Sequence, residues 1–248
     1  FPTRRSSDLL ISHGDIKEGN ELAKQAIDET NNKYDKAWYL SLAASDMFHQ
    51  IRDELAQAYI DEANKILATL TTTNTNGLRA IARTNAELAR TQSFLFERQG
   101  KFQKAIDVAI AGELAANKAV SMLNTGVSKV GWINTYETLA YAKGRKFSAL
   151  IAARKFSEAE EVMQDGLKPK NLPASFLAEA YMGAALLKFT QRDFSQAERL
   201  QKLARDTFIK LKYEETGTHI LFRNRDIAMA LIGQHRYLDA LAEFQKLD

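Results

Sequence analysis

Apolar residues recur every three to four positions along most of the chain, which is the spacing of one face of an α-helix. Leu22, Ala23, Ala26 and Ile27 show this spacing in one segment. Stretches rich in glycine, asparagine, threonine or proline interrupt it, the clearest being residues 71–77. The pattern therefore predicts an all-α protein, with helices over about 35–50, 53–70, 78–98, 102–123, 130–152, 156–164, 173–190, 194–211, 218–233 and 237–247.

Single residues predict where several of these helices end and which side they bury. Gly100 is expected to cap one helix, Gly166 and Pro169 to stop another, and Pro173 to lie in the first turn of the next. In the helix that begins after Arg52 and Asp53, the residues expected to face the core are Leu55, Ala58, Tyr59, Ala63 and Ile66. The aromatic residues of the preceding helix are interpreted as core and not as a ligand cage: Trp38, Tyr39 and Phe48.

One short turn recurs between the predicted helices. An aromatic residue follows a polar turn, and an alanine comes three residues later, in Gly100–Ala105, Arg154–Ala159, Arg192–Ala197 and His235–Ala240. Residues three apart lie on one face of a helix. We therefore predict that each aromatic side chain is buried at the corner between two helices, and that each alanine lets their backbones approach. A weaker copy spans Gly14–Gly19. A turn that recurs at this kind of interval is typical of a helical solenoid.

These residues resemble the tetratricopeptide repeat (TPR) family. The last unit matches best, with Ala228 and Leu231 before Tyr237, and Ala240 and Phe244 after it. A second unit is formed by Ser93, Phe96, Phe102 and Ala105. The resemblance covers most of residues 14–247. It implies a right-handed α-solenoid of antiparallel helix pairs, a TPR-like superhelix that binds a protein or peptide.

A narrower resemblance concerns the helical-repeat region of bacterial CHAT-domain proteins, which join such repeats to a caspase-like protease. The catalytic histidine and cysteine of that family belong to the protease domain, and nothing in this chain corresponds to them. This resemblance implies that the chain is the recognition or regulatory part of a larger bacterial protein. The alternative is the ligand-sensing repeat region of a signal-responsive transcriptional activator.

The first nine residues, Phe1 to Leu9, do not fit the rest of the chain. The codons that would encode them resemble the end of a widely used short-read sequencing adapter. We therefore expect residues 1–9 to be adapter-derived and disordered. The helical-repeat domain is then expected to span residues 10–248 and to be truncated at both ends.

Composition and charge exclude several classes of function. The formal net charge is +3 and both signs are interspersed, which disfavours a nucleic-acid-binding stripe. The chain has no cysteine, so disulfides, thiolate metal sites and a cysteine nucleophile are excluded. This fits a reducing compartment, and we expect a cytoplasmic location. No apolar run approaches the roughly 18–20 residues needed to cross a bilayer.

Histidines and carboxylates give no candidate for catalysis or metal binding. His13, His49, His219 and His235 are scattered, whereas a metal site needs several converging ligands. General acid–base catalysis needs a pocket that separates two pKa values, and nothing indicates one around Glu160 and Glu161. No glycine-rich nucleotide motif is present. We expect no catalytic, cofactor or metal site, and therefore no enzyme.

The remaining candidate is a peptide-binding surface. The charged run Arg79, Arg83, Glu87 and Arg90 is interpreted as a solvated helix face. The resemblance implies that the first helix of each pair lines a concave groove, and the residues placed there by that register are Arg90, Phe94, Tyr141, Arg145, Met182, Leu186, Arg225 and Met229. Guanidinium groups beside apolar anchors would suit a protein or peptide with some acidic character.

Overall fold

The protein is all-α in the computed structural model, which describes residues 16–124, 126–167, 174–211 and 218–247. Within these ranges there are eleven α-helices and no β-strand, which confirms the predicted fold class. The helices are α1 (Ile16–Glu29), α2 (Lys33–His49), α3 (Asp53–Ala68), α4 (Thr75–Arg98), α5 (Phe102–Ser121), α6 (Lys129–Ala152), α7 (Phe156–Leu167), α8 (Ala174–Thr190), α9 (Phe194–Lys210), α10 (Thr218–Gly233) and α11 (Tyr237–Phe244), followed by the 3₁₀ turn Gln245–Leu247.

The described helices form consecutive pairs joined by one kind of three-residue turn. After α4, the Lys101 amide donates to the Phe96 carbonyl (2.8 Å) and the Gly100 amide to the Glu97 carbonyl (2.9 Å). These two bonds define a Schellman motif, which satisfies carbonyls left free at a helix end. The same bonds close the turns centred on Ile51, Arg154, Arg192 and His235. Each turn reverses the chain, so the two helices it joins run antiparallel.

All five turns need one residue with a positive φ. Gly100 supplies it after α4, at φ +72°, as expected for a glycine cap. The other four turns place a non-glycine residue in this left-handed conformation, which costs an L-residue about 1–2 kcal/mol. Those residues are Ile51, Arg154, Arg192 and His235, with φ of 60°, 58°, 62° and 61°. The turn is therefore maintained by the packing of the helices it joins and does not require glycine.

The alanine of each turn is buried as predicted, but the aromatic residue is not. The alanines three residues into the second helices are at most 2% exposed: Ala56, Ala105, Ala159, Ala197 and Ala240. In contrast, Phe102 is 41% exposed and Tyr237 is 61% exposed, while Phe156 and Phe194 are half-buried. The prediction of buried corner aromatics is therefore wrong. Each aromatic is the first residue of its helix, where side chains point back past the helix end and lie beside the turn.

Residues Phe1–Ala142 form one compact unit, here called unit 1. An apolar cluster extends through α1, α2, α3 and α4, and its buried members include Ile27, Leu40, Met47, Ile60, Leu88 and Leu95. Tyr39 and Phe48 pack against this cluster while half-buried. The interpretation of these two aromatic residues as core is therefore largely right.

Two predictions within unit 1 were wrong by a few residues. The buried face of α3 carries Ala56, Ile60 and Ala63, whereas Leu55 and Ala58 are exposed. Ala63 is buried as predicted, and Tyr59 and Ile66 pack against the apolar cluster, so three of the five predicted core residues are right. The turn before α3 has Asp53 where the others have an aromatic residue, so the copy was not recognised and Leu55 and Ala58 were misplaced. The predicted loop 71–77 ends early, because Asn74 Oδ1 accepts a hydrogen bond from the Asn76 amide (2.8 Å) and starts α4 at Thr75.

Residues Lys143–Asp248 form the second compact unit, unit 2. One of its apolar clusters consists of Ala184, Ala185 and Leu200. Another joins Ala178, Phe208 and Ile220. The helix α7 runs to Leu167, so Gly166 lies inside it and does not stop it. Pro169, Pro173 and the stretch 1–9 lie outside the described residues.

Candidate functional site

One face of α4 carries four arginines of unit 1. Its residues are three or four positions apart, so their side chains share one side of the helix. They are Arg79, Arg83, Glu87, Arg90, Phe94 and Arg98, and this set is called the α4 arginine face. The 24-residue length of α4 gives this face room for four arginines.

Three of the four arginines lie over aromatic rings of neighbouring helices. Within about 6 Å, a guanidinium group is attracted to the face of an aromatic ring. Arg83 Cζ lies 4.7 Å from the Trp38 ring centroid, Arg90 Cζ lies 5.3 Å from that of Tyr141, and Arg98 Cζ lies 3.9 Å from that of Phe48. The Phe48 ring also stacks on Phe94, with centroids 5.1 Å apart. The face is therefore built by α2, α4 and the first part of α6.

The C-terminal half of the α4 arginine face has its polar partners. Arg90 donates through Nε to Glu87 Oε1 (3.1 Å) and through Nη2 to Ser45 Oγ (3.3 Å). Arg98 forms an ion pair with Asp53 and donates to the Phe48 carbonyl (3.2 Å). These two arginines connect α4 to α2 and α3.

In the N-terminal half of the α4 arginine face, the hydrogen bonds of the arginines are less complete. Arg79 Nη1 and Arg83 Nε are buried and have no hydrogen-bond partner among the described residues. Burial lowers the pKa of Arg83 below its ordinary value, and the charge of Arg79 lowers it further, while Glu137 and Glu87 act in the opposite direction. The guanidinium groups of Arg79 and Arg83 therefore repel each other in a partly desolvated place.

The residues predicted for the groove divide between the two units. In unit 1, Arg90 and Tyr141 meet, Tyr141 is 50% exposed, and Phe94 lies one turn farther along α4. The other five, in unit 2, are Arg145, Met182, Leu186, Arg225 and Met229.

In unit 2, the predicted residues are not all accessible. Leu186 is 46% exposed and Met229 is 43% exposed. Arg225 is exposed and pairs with Asp226, with Nη2 and Oδ1 2.8 Å apart. Met182 packs against the cluster of Ala178, Phe208 and Ile220. Arg145 is only 3% exposed, which contradicts the expectation that it faces a groove.

The interpretation of Arg79, Arg83, Glu87 and Arg90 as a solvated helix face is wrong, because Glu87 is buried and the three arginines are half-buried. Trp38 and Arg98 were not predicted to lie on this surface. The four-residue spacing of Arg79 and Arg83 is visible in the sequence, but it is the same for a solvated helix face. The alignment with the TPR pattern covers the C-terminal end of α4, where it places Arg90 and Phe94 in the predicted groove. Because α4 is long, its first turns carry Arg79 and Arg83 outside that register.

In unit 2, arginines bond side chains of neighbouring helices to one another. Arg223 of α10 is buried, donates to Gln201 Oε1 of α9 (3.0 Å) and pairs with Asp226 (3.2 Å). Arg205 of α9 pairs with Glu243 of α11 at 3.0 Å. Glu198 accepts from Arg236 (2.9 Å) and from Gln234 (2.8 Å). These contacts form a polar network, defined by Glu198, Gln201, Arg205, Arg223, Asp226, Gln234, Arg236 and Glu243, that joins α9, α10 and α11.

Unit 1 also has an open cavity between α1, α2 and α3, with a volume of about 440 Å³. Its charged lining residues are of both signs: Lys17, Glu21, Lys24, Asp46 and Arg52. This balanced lining selects neither an anion nor a cation. Among the described residues there is also no group of three or more histidine, aspartate or glutamate side chains that could hold a metal ion.

No helix in the described part of the chain combines the length and the apolar character needed to span a membrane. No known family profile matches the chain, and no curated protein matches it. Several solved structures are similar to it.

One similar structure is BtubC (BKLC) from P. vanneervenii, with a TM-score of 0.58 and 16% sequence identity over 92% of this chain and 87% of that chain. Another is the apo form of RapI, with a TM-score of 0.54 and 14% identity over 85% of this chain and 68% of that chain. At these identities the likeness shows the fold alone. It assigns the chain to the all-α, TPR-like helical-repeat class.

Proposed function

We propose that this chain is a non-catalytic scaffold that binds a protein or peptide through the first helices of its pairs. The observation that supports this is an apolar side chain at the same position in three of the five helix pairs. Phe94, Leu186 and Met229 each lie six residues before the positive-φ residue of the turn that follows, where the other two pairs have Ser45 and Ser148. Leu186 and Met229 are more than 40% exposed, and Phe94 is half-buried.

The position four residues earlier supports the same proposal. It holds Arg90, Met182 and Arg225, which lie one helical turn away on the same face. Exposed apolar side chains next to arginines are common in protein interfaces, where the apolar group is desolvated and the guanidinium group bonds carboxylates. A helical or extended peptide presents side chains at suitable intervals for such contacts.

Finer parts of the proposal rest on the sequence. The resemblance of the repeat turns supports a role as the recognition part of a larger bacterial protein such as a CHAT-type protease. The arginines support a partner with acidic segments, and the absence of cysteine supports a cytoplasmic location.

A selection experiment tests the proposal. A library of random 16-residue peptides would be selected on the immobilised protein, and the enriched peptides would be measured against Leu186→Ser/Met229→Ser. We expect enriched peptides to bind the wild type and to lose about tenfold in affinity on this variant, because two apolar contacts are removed.

The matched control changes two exposed leucines on second helices, Leu114→Ser/Leu238→Ser. These changes should leave the affinity within about twofold. Failure to enrich any peptide over an unrelated helical protein, or an equal loss in the control, would reject a binding surface on the first helices.

A further inference from the structure

The first turns of α4 hold two arginines in an unusual environment. Arg79 and Arg83 are one helical turn apart on the α4 arginine face. The guanidinium group of Arg83 lies over the Trp38 ring of α2, 4.7 Å from its centroid. The first turn of α6 lies next to Arg79, since a Cβ atom built on Gly131 would be 3.7 Å from Arg79 Nη1.

The two side chains are in place but their hydrogen bonds are incomplete. Arg79 Nη1 and Arg83 Nε are shielded from solvent without an acceptor in the described part of the chain. Buried N–H groups are normally paired, and an unpaired one is costly. The two positive charges also oppose each other, and the start of α6 adds the partial positive charge of a helix N-terminus. Glu137 and Glu87 oppose this charge only in part, because Glu87 is bonded to Arg90. An oxyanion at the exposed part of these two half-buried side chains would supply a further acceptor and a further negative charge.

The surroundings indicate which kind of anion fits. Next along the face, Glu87 is already hydrogen-bonded to Arg90, and beyond it lie the aromatic rings of Phe94 and Tyr141. Farther along the face, Arg90 and Arg98 are paired with Glu87 and Asp53, so the positive charge of this face that has no ion pair among the described residues lies in the first turns of α4. A continuous polyanion would pass from the arginine pair onto the Glu87 carboxylate, which repels it.

We infer that Arg79 and Arg83, with Trp38, form a carboxylate-binding subsite for an acidic segment of the partner peptide, whose following apolar residue meets Phe94 and Tyr141. This inference rests on the proposed function and names the chemistry of its ligand. Arginine is suited to it because its planar fork donates two parallel hydrogen bonds to one carboxylate.

The spacing on α4 sets the length of the motif. From Arg83 to Phe94 is eleven residues, or about 16 Å along a helix at 1.5 Å per residue. An extended peptide covers that distance in about five residues at 3.3–3.6 Å each. The partner should therefore carry one or two acidic residues, and an apolar residue about five positions away.

Two synthetic peptides test the inference. The acidic probe is a fluorescein-labelled ten-residue peptide with two glutamates near one end and two leucines five positions farther on. The neutral probe has glutamines in place of the glutamates. We expect the wild-type protein to bind the acidic probe about tenfold more tightly in fluorescence anisotropy, and more weakly as salt is added. Equal affinity for the two probes would overturn the inference.

Variants of the protein test whether Arg79 and Arg83 cause the preference for the acidic probe. Arg79→Gln/Arg83→Gln should reduce the affinity for the acidic probe about tenfold and leave the neutral probe unaffected. The control Arg154→Gln/Arg199→Gln removes the same net charge from exposed arginines elsewhere and should change neither affinity by more than about twofold. An equal loss in both variants would mean that only the overall charge attracts the probe, which contradicts a subsite.

A conservative variant covers the case in which the glutamine variant fails to fold. Arg79→Lys/Arg83→Lys keeps both charges and loses the planar forks, so the affinity for the acidic probe should fall several-fold at unchanged helicity. Unchanged affinity in the lysine variant would overturn the bidentate subsite.

The fluorescence of Trp38 reports on binding of the acidic probe at the subsite itself. The chain has two tryptophans, so Trp132→Phe leaves Trp38 as the only one. Its emission should change with the acidic probe and stay constant with the neutral probe or with inorganic phosphate alone. A response to phosphate that equals the response to the acidic probe would assign the pair to a free anion and overturn the peptide assignment. Enriched library peptides that bind independently of Arg79 and Arg83 would reject this inference and leave the proposed function standing.

Discussion

The first helices α4 and α10 both carry arginines, but the two units use them differently. In unit 2, Arg223 is buried in the polar network and bonds Gln201 and Asp226. In unit 1, the apolar cluster from α1 to α4 holds the helices together, while Arg83 lies over the Trp38 ring and is opposed by the charge of Arg79 one turn away. An arginine on a first helix can therefore bond neighbouring helices or stand beside another positive charge, and its partners decide which.

The largest effect is expected from the apolar cluster of unit 1. Leu95 is almost fully buried there, so Leu95→Ala should lower the free energy of unfolding by about 2–5 kcal/mol. The control Leu114→Ala removes an exposed leucine and should stay within about 0.5 kcal/mol. Urea unfolding followed by tryptophan fluorescence measures this in unit 1, where both tryptophans lie. A negligible effect of Leu95→Ala would contradict an apolar basis for unit 1.

The second prediction compares two arginines directly. Arg223→Ala removes a buried guanidinium group bonded to Gln201 and Asp226, and because Asp226 keeps its pair with Arg225 the change should cost about 1–3 kcal/mol. Arg79→Ala removes a charge that is repelled by Arg83 and should change the free energy of unfolding by less than about 0.5 kcal/mol. Urea titrations followed by circular dichroism give both values. Similar losses at the two positions would remove the distinction between the units.

The third prediction concerns how closely α9 and α10 pack in unit 2. A Cβ atom on Gly233 would lie 2.5–2.7 Å from three ring atoms of Phe194, so Gly233→Ala should cost about 1–3 kcal/mol. Gly144 lies in the interior of α6 with nothing within 4 Å of such an atom, so Gly144→Ala should stabilise by about 0.5–1 kcal/mol. Thermal unfolding distinguishes opposite signs. A stabilising Gly233→Ala would show that the Phe194 contact is not tight.

Several features of the fold could be predicted from the sequence, and the reasons are local. The spacing of apolar residues predicted the helices, and the small residue three positions into a helix predicted Ala105 and Ala197 as buried contacts. The exposure of Tyr237 could not be predicted, because it depends on the direction in which a helix-initial side chain points. The environment of Arg83 depends on Trp38, which is 45 residues away in sequence. Only the packing of α2 against α4 brings them together.

The smallest expected effect is the acid sensitivity of the polar network in unit 2. Burial raises the pKa of Glu198, but hydrogen bonds from Lys202 and Gln234 and the charges of Lys202 and Arg236 outweigh it, so the pKa lies below its ordinary 4.5. The folded state therefore binds this proton less readily than the unfolded state. Its stabilising contribution is present above about pH 4.5 and is lost as the pH falls through the lower, folded-state pKa.

This acid effect should appear as a difference between two signals. Between about pH 5 and pH 3 we expect circular dichroism, which reports both units, to lose signal before the tryptophan emission of unit 1 shifts. Because Glu198→Gln lacks this stabilising contribution at every pH, its circular dichroism transition should begin at higher pH than that of the wild type. Coincident transitions in the wild type would contradict a more acid-sensitive unit 2.

Photocrosslinking tests whether a partner binds the first-helix surface of this repeat protein. Benzoylphenylalanine would replace either Tyr141, on the first helix α6, or Leu114, on the second helix α5; both positions are exposed in unit 1. With a peptide enriched from the library, we expect crosslinking from position 141 and little from position 114. Crosslinking that is equal at both positions, or stronger at 114, would contradict binding at the first-helix surface.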